Sequence, residues 1–252
     1  MNIKMIALDL DGTLLRDDKT VSDYTFSVLG KCREKGIKVI YATSRGHSAT
    51  NLVSGDLFDG FVRMGGAVAY AGENLLYSRL IPTAEIREFL VDIDKAGIRF
   101  AAELNAWHYA NFDVSKEWEW LTYFEYSDFA TLDIEAEKMY ALPRNQQETD
   151  LIYRLLPAGL RVIPARDENF TMIMHEQATK AKASFALARY WGIDKAEVVA
   201  FGDDLVDIDM LEYFGAGVAM GNALDEVKAV ADYVCDTNEN DGVARWLEEN
   251  VL

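Results

Sequence analysis

Cationic side chains are scarce in this chain: 252 residues carry 25 Lys and Arg against 42 Asp and Glu, a formal net charge of −17. Nucleic acid needs a basic footprint, so that partner class is excluded. An anionic small molecule would also be repelled at long range, and any bound phosphate must be held by nearby cations and a metal. Cysteine is nearly absent. Cys32 and Cys235 stand far apart without ligand spacing, which excludes a cysteine metal site and reads as two reduced, partly buried thiols of a cytoplasmic protein. No stretch reaches the ~18–20 uninterrupted apolar residues of a spanning helix, so no membrane association is expected. The N-terminus reads as a strand with no small-residue cleavage site, so no signal peptide is expected. Of three histidines, His47 and His175 read as structural or solvated. There is no internal repeat and no low-complexity tract.

What is present is a strand–helix alternation at both ends of the chain. Residues 3–9 read as a strand, 22–35 as a helix closed by Gly36, 38–42 as a strand ending at Thr43-Ser44-Arg45-Gly46, and 61–64 as a third strand. Short apolar runs in this order predict a parallel sheet with helices on both faces, a Rossmann-like α/β core. The pattern changes at Pro82. Ile86, Phe89, Leu90 and Ile93 then fall at helical spacing up to Gly97, with strand-like runs near 98–103, 107–112, 138–142, 160–164 and 170–174 and a helix near 146–156. From residue 178 the first pattern resumes. The expectation is a core formed by 1–81 and 178–252, interrupted by an inserted α/β domain over 82–177.

Two acidic clusters stand where buried strands should end, the place where open α/β sheets do chemistry. Asp9-Leu10-Asp11-Gly12-Thr13-Leu14 follows the apolar run 3–8. In a continuing strand Asp9 and Asp11 would share a face, where bare carboxylates repel; a divalent cation, or a proton shared with a substrate, removes the conflict. One carboxylate can attack phosphorus while its neighbour protonates a leaving oxygen and later activates water. Gly12 lets the backbone approach a ligand closely. An Asx turn at a strand end accounts for the same residues. The second cluster, Asp203, Asp204 and Asp207, follows the run 198–201. Magnesium prefers a few carboxylates, with waters and phosphate oxygens completing its shell. Asp203 is the first ligand candidate and Asp207 the second, with Asp204 as a helix cap. Capping and solvated acids account for this cluster equally well by itself.

Taken together, these motifs resemble the haloacid dehalogenase superfamily of phosphohydrolases, in its Cof-type branch with a C2B cap. Asp9-Leu10-Asp11-Gly12-Thr13-Leu14 matches the first motif and Ala42-Thr43-Ser44-Arg45 the second. Lys180, twelve residues before Gly192, matches the third, and Gly202-Asp203-Asp204-Leu205-Val206-Asp207 the fourth. Residues 217–223 and 240–244 resemble that branch's tail. The resemblance implies a nucleophile at Asp9, an acid/base at Asp11, a phosphoryl-binding hydroxyl at Thr43 and a charge-neutralising ammonium at Lys180. It implies Mg2+ held by Asp9, Asp11, Asp203 and Asp207, with Gly12, Ser44 and Arg45 as substrate contacts. The insertion has the size and position of the family's cap, and His108 and Glu103, near the ends of its first two strands, are its candidate selectors. Its aromatics, among them Trp107, Tyr109, Trp118 and Trp120, suit either a ring ligand or the cap's own core.

The implied activity is hydrolysis of a small phosphomonoester, such as a sugar phosphate or phosphorylated cofactor, through an aspartyl-phosphate. The alternatives are a phosphomutase of the phosphomannomutase kind, or a ligand-binding protein with a weakened site. Three residues depart from the branch. Val206 replaces the usual Asn before the last Asp, Asp204 replaces a small residue, and Gly65 stands where Asn opens an Asn-Gly-Ala run. Val206→Asn is expected to tighten magnesium binding or raise turnover, read from rate against magnesium concentration. No change in either measure would refute a role for the missing amide.

Overall fold

The computed structural model describes residues 1–53, 55–164 and 170–252. The chain divides into two compact units, Met1–Ser78 with Thr179–Leu252, and Arg79–Ala178. The first segment runs through β1 (Met5–Leu8), α1 (Asp23–Glu34), β2 (Lys38–Ala42), β3 (Gly60–Arg63), β4 (Val68–Ala71) and β5 (Asn74–Ser78). The insertion contains β6 (Ile81–Pro82), α2 (Arg87–Lys95), β7 (Arg99–Leu104), β8 (Trp107–Ala110), β9 (Phe124–Tyr126) and β10 (Glu135–Ala136). It continues with β11 (Lys138–Leu142), α3 (Gln146–Leu155), β12 (Leu160–Pro164) and β13 (Thr171–His175). The chain returns through α4 (Lys180–Tyr190), β14 (Val198–Gly202), α5 (Ile208–Tyr213), β15 (Ala216–Ala219), α6 (Asp225–Val230), β16 (Tyr233–Val234) and α7 (Gly242–Asn250). Among the described residues no helix is long and apolar enough to cross a membrane.

The first unit holds an eight-stranded sheet in the order β16-β15-β14-β1-β2-β3-β4-β5, parallel from β16 to β3 and antiparallel beyond. Every residue of β1, β14 and β15 is buried, which requires cover on both faces of the sheet. Helix α1 packs with α7, and α4 with α5. In α1 the inward residues Thr25, Val28, Leu29 and Cys32 repeat at helical spacing, and the Ser22 side chain accepts the Thr25 N–H at its start. The antiparallel pair β4–β5 goes beyond what the sequence pattern separated from loop. β4 is short and half alanine, and β5 is largely unburied, so neither carries a strong strand signal.

The second unit has a six-stranded sheet in the order β12-β13-β11-β7-β8-β9, with a two-stranded β10-β6 pair beside it. One apolar cluster joins Phe89, Leu90 and Ile93 of α2 to Phe100, Ala102, Met139 and Ile173 of the sheet. A second, smaller cluster gathers Ala101, Ala110, Phe112, Tyr140 and Leu142 with Trp118 and Phe170. Most of the unit's aromatic content is thereby explained as core. The chain passes between units at Ser78/Arg79 rather than at Pro82, because Ile81–Pro82 pairs with Glu135–Ala136 inside the second unit.

One turn of the first unit governs where α4 begins. After β3 the chain makes a left-handed turn at Gly65 (φ 58) and Gly66 (φ 103). A side chain on Gly66 would place its Cβ 2.2 Å from the Thr179 carbonyl carbon, and Thr179 caps α4 by accepting the Lys182 N–H. Glycine at 65 keeps a conformation that asparagine also tolerates, so the departure there costs the turn little. Gly66→Ala combines a strained φ with a backbone clash and is expected to destabilise the protein by about 3 kcal/mol or more, measured by denaturant unfolding. A loss below ~1 kcal/mol would mean that this contact gives way easily.

Candidate active site

Two adjacent parallel strands deliver the acidic clusters to one place. Leu8 of β1 stands beside Phe201 of β14, so Asp9 and Asp203 leave the sheet side by side, and the Asp9 N–H donates to the Phe201 carbonyl. Asp207 follows in a short 3-10 turn, Leu205–Asp207, capped by Asp204, whose side chain accepts the Leu205 N–H. Ligand oxygens of Asp9, Asp203 and Asp207 lie within 4.8 Å of one another, and all three residues are buried. Lys180, the first residue of α4, points its ammonium into this group. Its Nζ donates to Asp9 Oδ1 and to Asp207 Oδ1, each at 2.6 Å, and only 1% of the side chain is exposed.

The charges do not balance. Three buried carboxylates face one ammonium, and burial disfavours every ionised form. Burial, with Asp207 and Asp203 adding to it, pushes Asp9 well above the ordinary carboxylate range despite Lys180. Burial and Asp207 push Asp203 up to about 7. Burial alone would lower Lys180, yet Asp207 and Asp9 outweigh it and hold the ammonium firmly charged. An all-oxygen set short of positive charge fits a hard divalent cation. Asp207 is the most committed of the three, since its Oδ2 also accepts the N–H groups of Asp203 and Asp204. Asp9 Oδ2 has no hydrogen-bond partner among the described residues.

The other expected residues fall into two places. The Asp11 carboxylate stands apart from the buried three and faces cations. Arg45 Nε and Nη2 reach it at 2.5 and 2.8 Å, and Lys19 Nζ at 2.8 Å. Burial raises Asp11, but these hydrogen bonds outweigh it and hold the carboxyl below its usual range. Thr43, at the end of β2, is buried, and its Oγ1 accepts the Arg45 N–H, leaving the hydroxyl hydrogen to donate elsewhere. Ser44 is half-buried in the same loop. Gly12 (φ 76) runs so close to Asp203 that a Cβ there would sit 2.4 Å from its carboxylate. His108 belongs to the second unit, where its Nδ1 meets the Tyr140 hydroxyl at 2.9 Å and burial lowers its pKa.

Several positioning residues escaped the sequence reading. Thr13 Oγ1 donates to Asp203 Oδ1 at 2.9 Å across 190 positions of chain. Asn222 Nδ2 donates to the Gly12 carbonyl, and its Oδ1 accepts the Asn238 N–H. Asp241 accepts hydrogen bonds from Arg16, Ser22 and Thr25, tying the loop after the first motif to the tail. Thr13 and Asn222 stand inside the motifs; the signal was present, and only its partner was unknown.

The chain is similar to known proteins along nearly its whole length. The profile of the haloacid dehalogenase-like hydrolase family matches residues 6–247. The chain is 31% identical over 258 residues to the 5-amino-6-(5-phospho-D-ribitylamino)uracil phosphatase YcsE of Bacillus subtilis, covering 100% of this chain and 97% of that one. It is 29% identical over 273 residues to YitU, a phosphatase of the same name from the same organism, covering 97% and 96%. Among solved structures, the HAD subclass IIB sugar phosphatase BT4131 matches with a TM-score of 0.82 at 26% identity, covering 98% of both chains.

A metal-dependent pH effect follows from the raised carboxyls. Without metal the folded protein keeps a proton on Asp203 up to about pH 7 that the unfolded chain has released by about pH 4, so this group makes stability fall as pH rises between them. A bound divalent cation removes that loss. The rise in melting temperature on adding magnesium, over a matched EDTA control, is therefore expected to grow from pH 5 to about pH 7 and then level off. A constant or shrinking difference over that first interval would contradict the charge imbalance.

Proposed function

The chain belongs to the haloacid dehalogenase-like hydrolase family, in its Cof-type subclass IIB branch of phosphatases, and we propose that it hydrolyses a small phosphomonoester through an aspartyl-phosphate formed on Asp9. The observation that carries this reading is Lys180 bridging Asp9 and Asp207, with Asp203 alongside. That contact orients Asp9 by one oxygen and leaves Oδ2 for attack. Asp9 and Asp203, with Asp207 behind them, would hold Mg2+. The bound ion supplies the positive charge that lets a phosphate dianion approach three carboxylates.

The chain's own groups divide the remaining work. Asp9 Oδ2 forms a bond to phosphorus as the bond to the substrate oxygen breaks, and the departing oxygen takes a proton from Asp11. Lys180 and the Thr43 hydroxyl stabilise charge on the phosphoryl oxygens. Water then attacks phosphorus, its proton passes to Asp11, and the bond to Asp9 breaks to release phosphate. Arg45 and Lys19 keep Asp11 ionised in the resting geometry, which suits the base step. The acid step requires Asp11 to turn from at least one of them toward the leaving oxygen and, freed from that hold on its ionised form, to take up the proton that it then donates.

The substrate is a small phosphorylated metabolite, and two relatives named for a phosphorylated ribitylamino-uracil support a polyol or sugar phosphate, alone or joined to a ring. Asp9→Asn is expected to lower phosphate release from a panel of such phosphomonoesters, assayed with magnesium, by on the order of 10³-fold or more. An Asp9→Asn protein that keeps comparable turnover would overturn the aspartyl-phosphate route.

A further inference from the structure

Arg63, the last residue of β3, is used by none of the motifs. It is 8% exposed. Its guanidinium lies over the Phe61 ring, 4.3 Å from the centre, with the Tyr70 ring at 5.8 Å. Nη1 is 3.3 Å from Nδ1 of His47, and the buried Nε has no hydrogen-bond partner. No carboxylate pairs with Arg63 among the described residues, although the chain holds 42 acidic residues for 25 Lys and Arg. A buried, unpaired cation is costly, and stacking on aromatic rings offsets only part of that cost. The arrangement leaves a planar donor fork without the oxyanion that it matches.

Its place in the sheet gives the site a direction. β14, β1, β2 and β3 are consecutive neighbours, and their carboxyl ends carry Asp203, Asp9, Thr43 and Arg63 in that order. Neighbouring strands lie about 4.8 Å apart, so the Arg63 backbone stands about 10 Å along this edge from that of Asp9. The following residue ties this corner to the site, since the Met64 N–H donates to the Arg45 carbonyl.

We propose that Arg63, with the exposed His47 beside it, binds a second anionic group of the substrate, a carboxylate or another phosphate, while the scissile phosphoryl group lies at Asp9. This rests on the phosphatase reading above and narrows it to substrates acidic at both ends. The test uses matched ligands: 6-phosphogluconate against glucose 6-phosphate, and fructose 1,6-bisphosphate against fructose 6-phosphate. Binding is measured calorimetrically with magnesium in the Asp9→Asn protein, so it does not depend on turnover.

The doubly anionic member of each pair is expected to bind at least about tenfold more tightly, and Arg63→Gln to bring the ratio within about twofold of one. His47→Gln, which removes a neighbour without touching the arginine, should lower the ratio severalfold and serves if Arg63→Gln does not fold. A ratio near one in the parent protein, or a ratio that survives Arg63→Gln, would overturn the proposal. So would an equal loss of both affinities, which marks a purely structural arginine. Inorganic sulfate that raises the melting temperature of the parent but not of Arg63→Gln, with the ligand ratio near one, would mark a free-anion site and overturn the substrate assignment. If no compound is hydrolysed yet the ratio behaves as expected, the phosphatase reading fails and the anion site stands.

Discussion

A single buried ammonium sets the terms for the whole first unit. Lys180 touches Asp9 and Asp207, residues that arrive from opposite ends of the chain, and it is the only cation hydrogen-bonded to either among the described residues. Removing it would leave three carboxylates facing one another in a dry setting, where unpaired buried charge is strongly destabilising. Much of the surrounding architecture can be read as the means of delivering that group. β1 and β14 must be neighbours for Asp9 and Asp203 to meet. α4 must begin next to the turn at Gly65 and Gly66, with Thr179 as its cap. The return from the inserted unit falls at Ala178/Thr179, immediately before the lysine, so the insertion ends where precision is required.

The neighbourhood of the acidic clusters sets local charge against global charge. The chain is strongly acidic, yet three cations stand among these carboxylates: Lys180 between Asp9 and Asp207, and Arg45 and Lys19 on Asp11. Asp9 and Asp11, two residues apart, therefore live in opposite environments. One is dry and crowded by carboxylates, and its carboxyl is pushed up; the other is half-open and gripped by cations, and its carboxyl is pulled down. Environment, more than residue type, separates the roles that two such carboxyls can take.

The fold class and the acidic clusters were legible because they depend on local pattern: apolar strands of four or five residues, and Asp immediately beyond them. The metal-ligand expectation for Asp11 rests on spacing, which says that two carboxylates are close but not which way each turns. Arg45 and Lys19 draw the Asp11 carboxylate aside, and no sequence rule announces that. Thr13 shows the same limit, since its bond to Asp203 spans 190 residues. The β4–β5 hairpin was missed because alanine-rich and half-exposed strands lack a periodic signature. Arg63 was invisible for a different reason: its interest lies in partners that it does not have, and absence of a partner is a property of three dimensions.

The order of strands has a consequence for how the protein comes into being. β1 lies in the middle of its sheet, and one of its two neighbours, β14, is made some 190 residues later. At roughly 5–20 residues per second, a ribosome exposes β1 for on the order of ten seconds or more before that partner exists. The second unit has no such delay, because all its strands lie within Arg79–Ala178. It can close while the first is still half a sheet. A buried apolar strand with an open edge is an aggregation hazard for as long as it waits. The nascent chain thus spends that interval with one edge of β1 paired to β2 and the other open, until β14 emerges to close it.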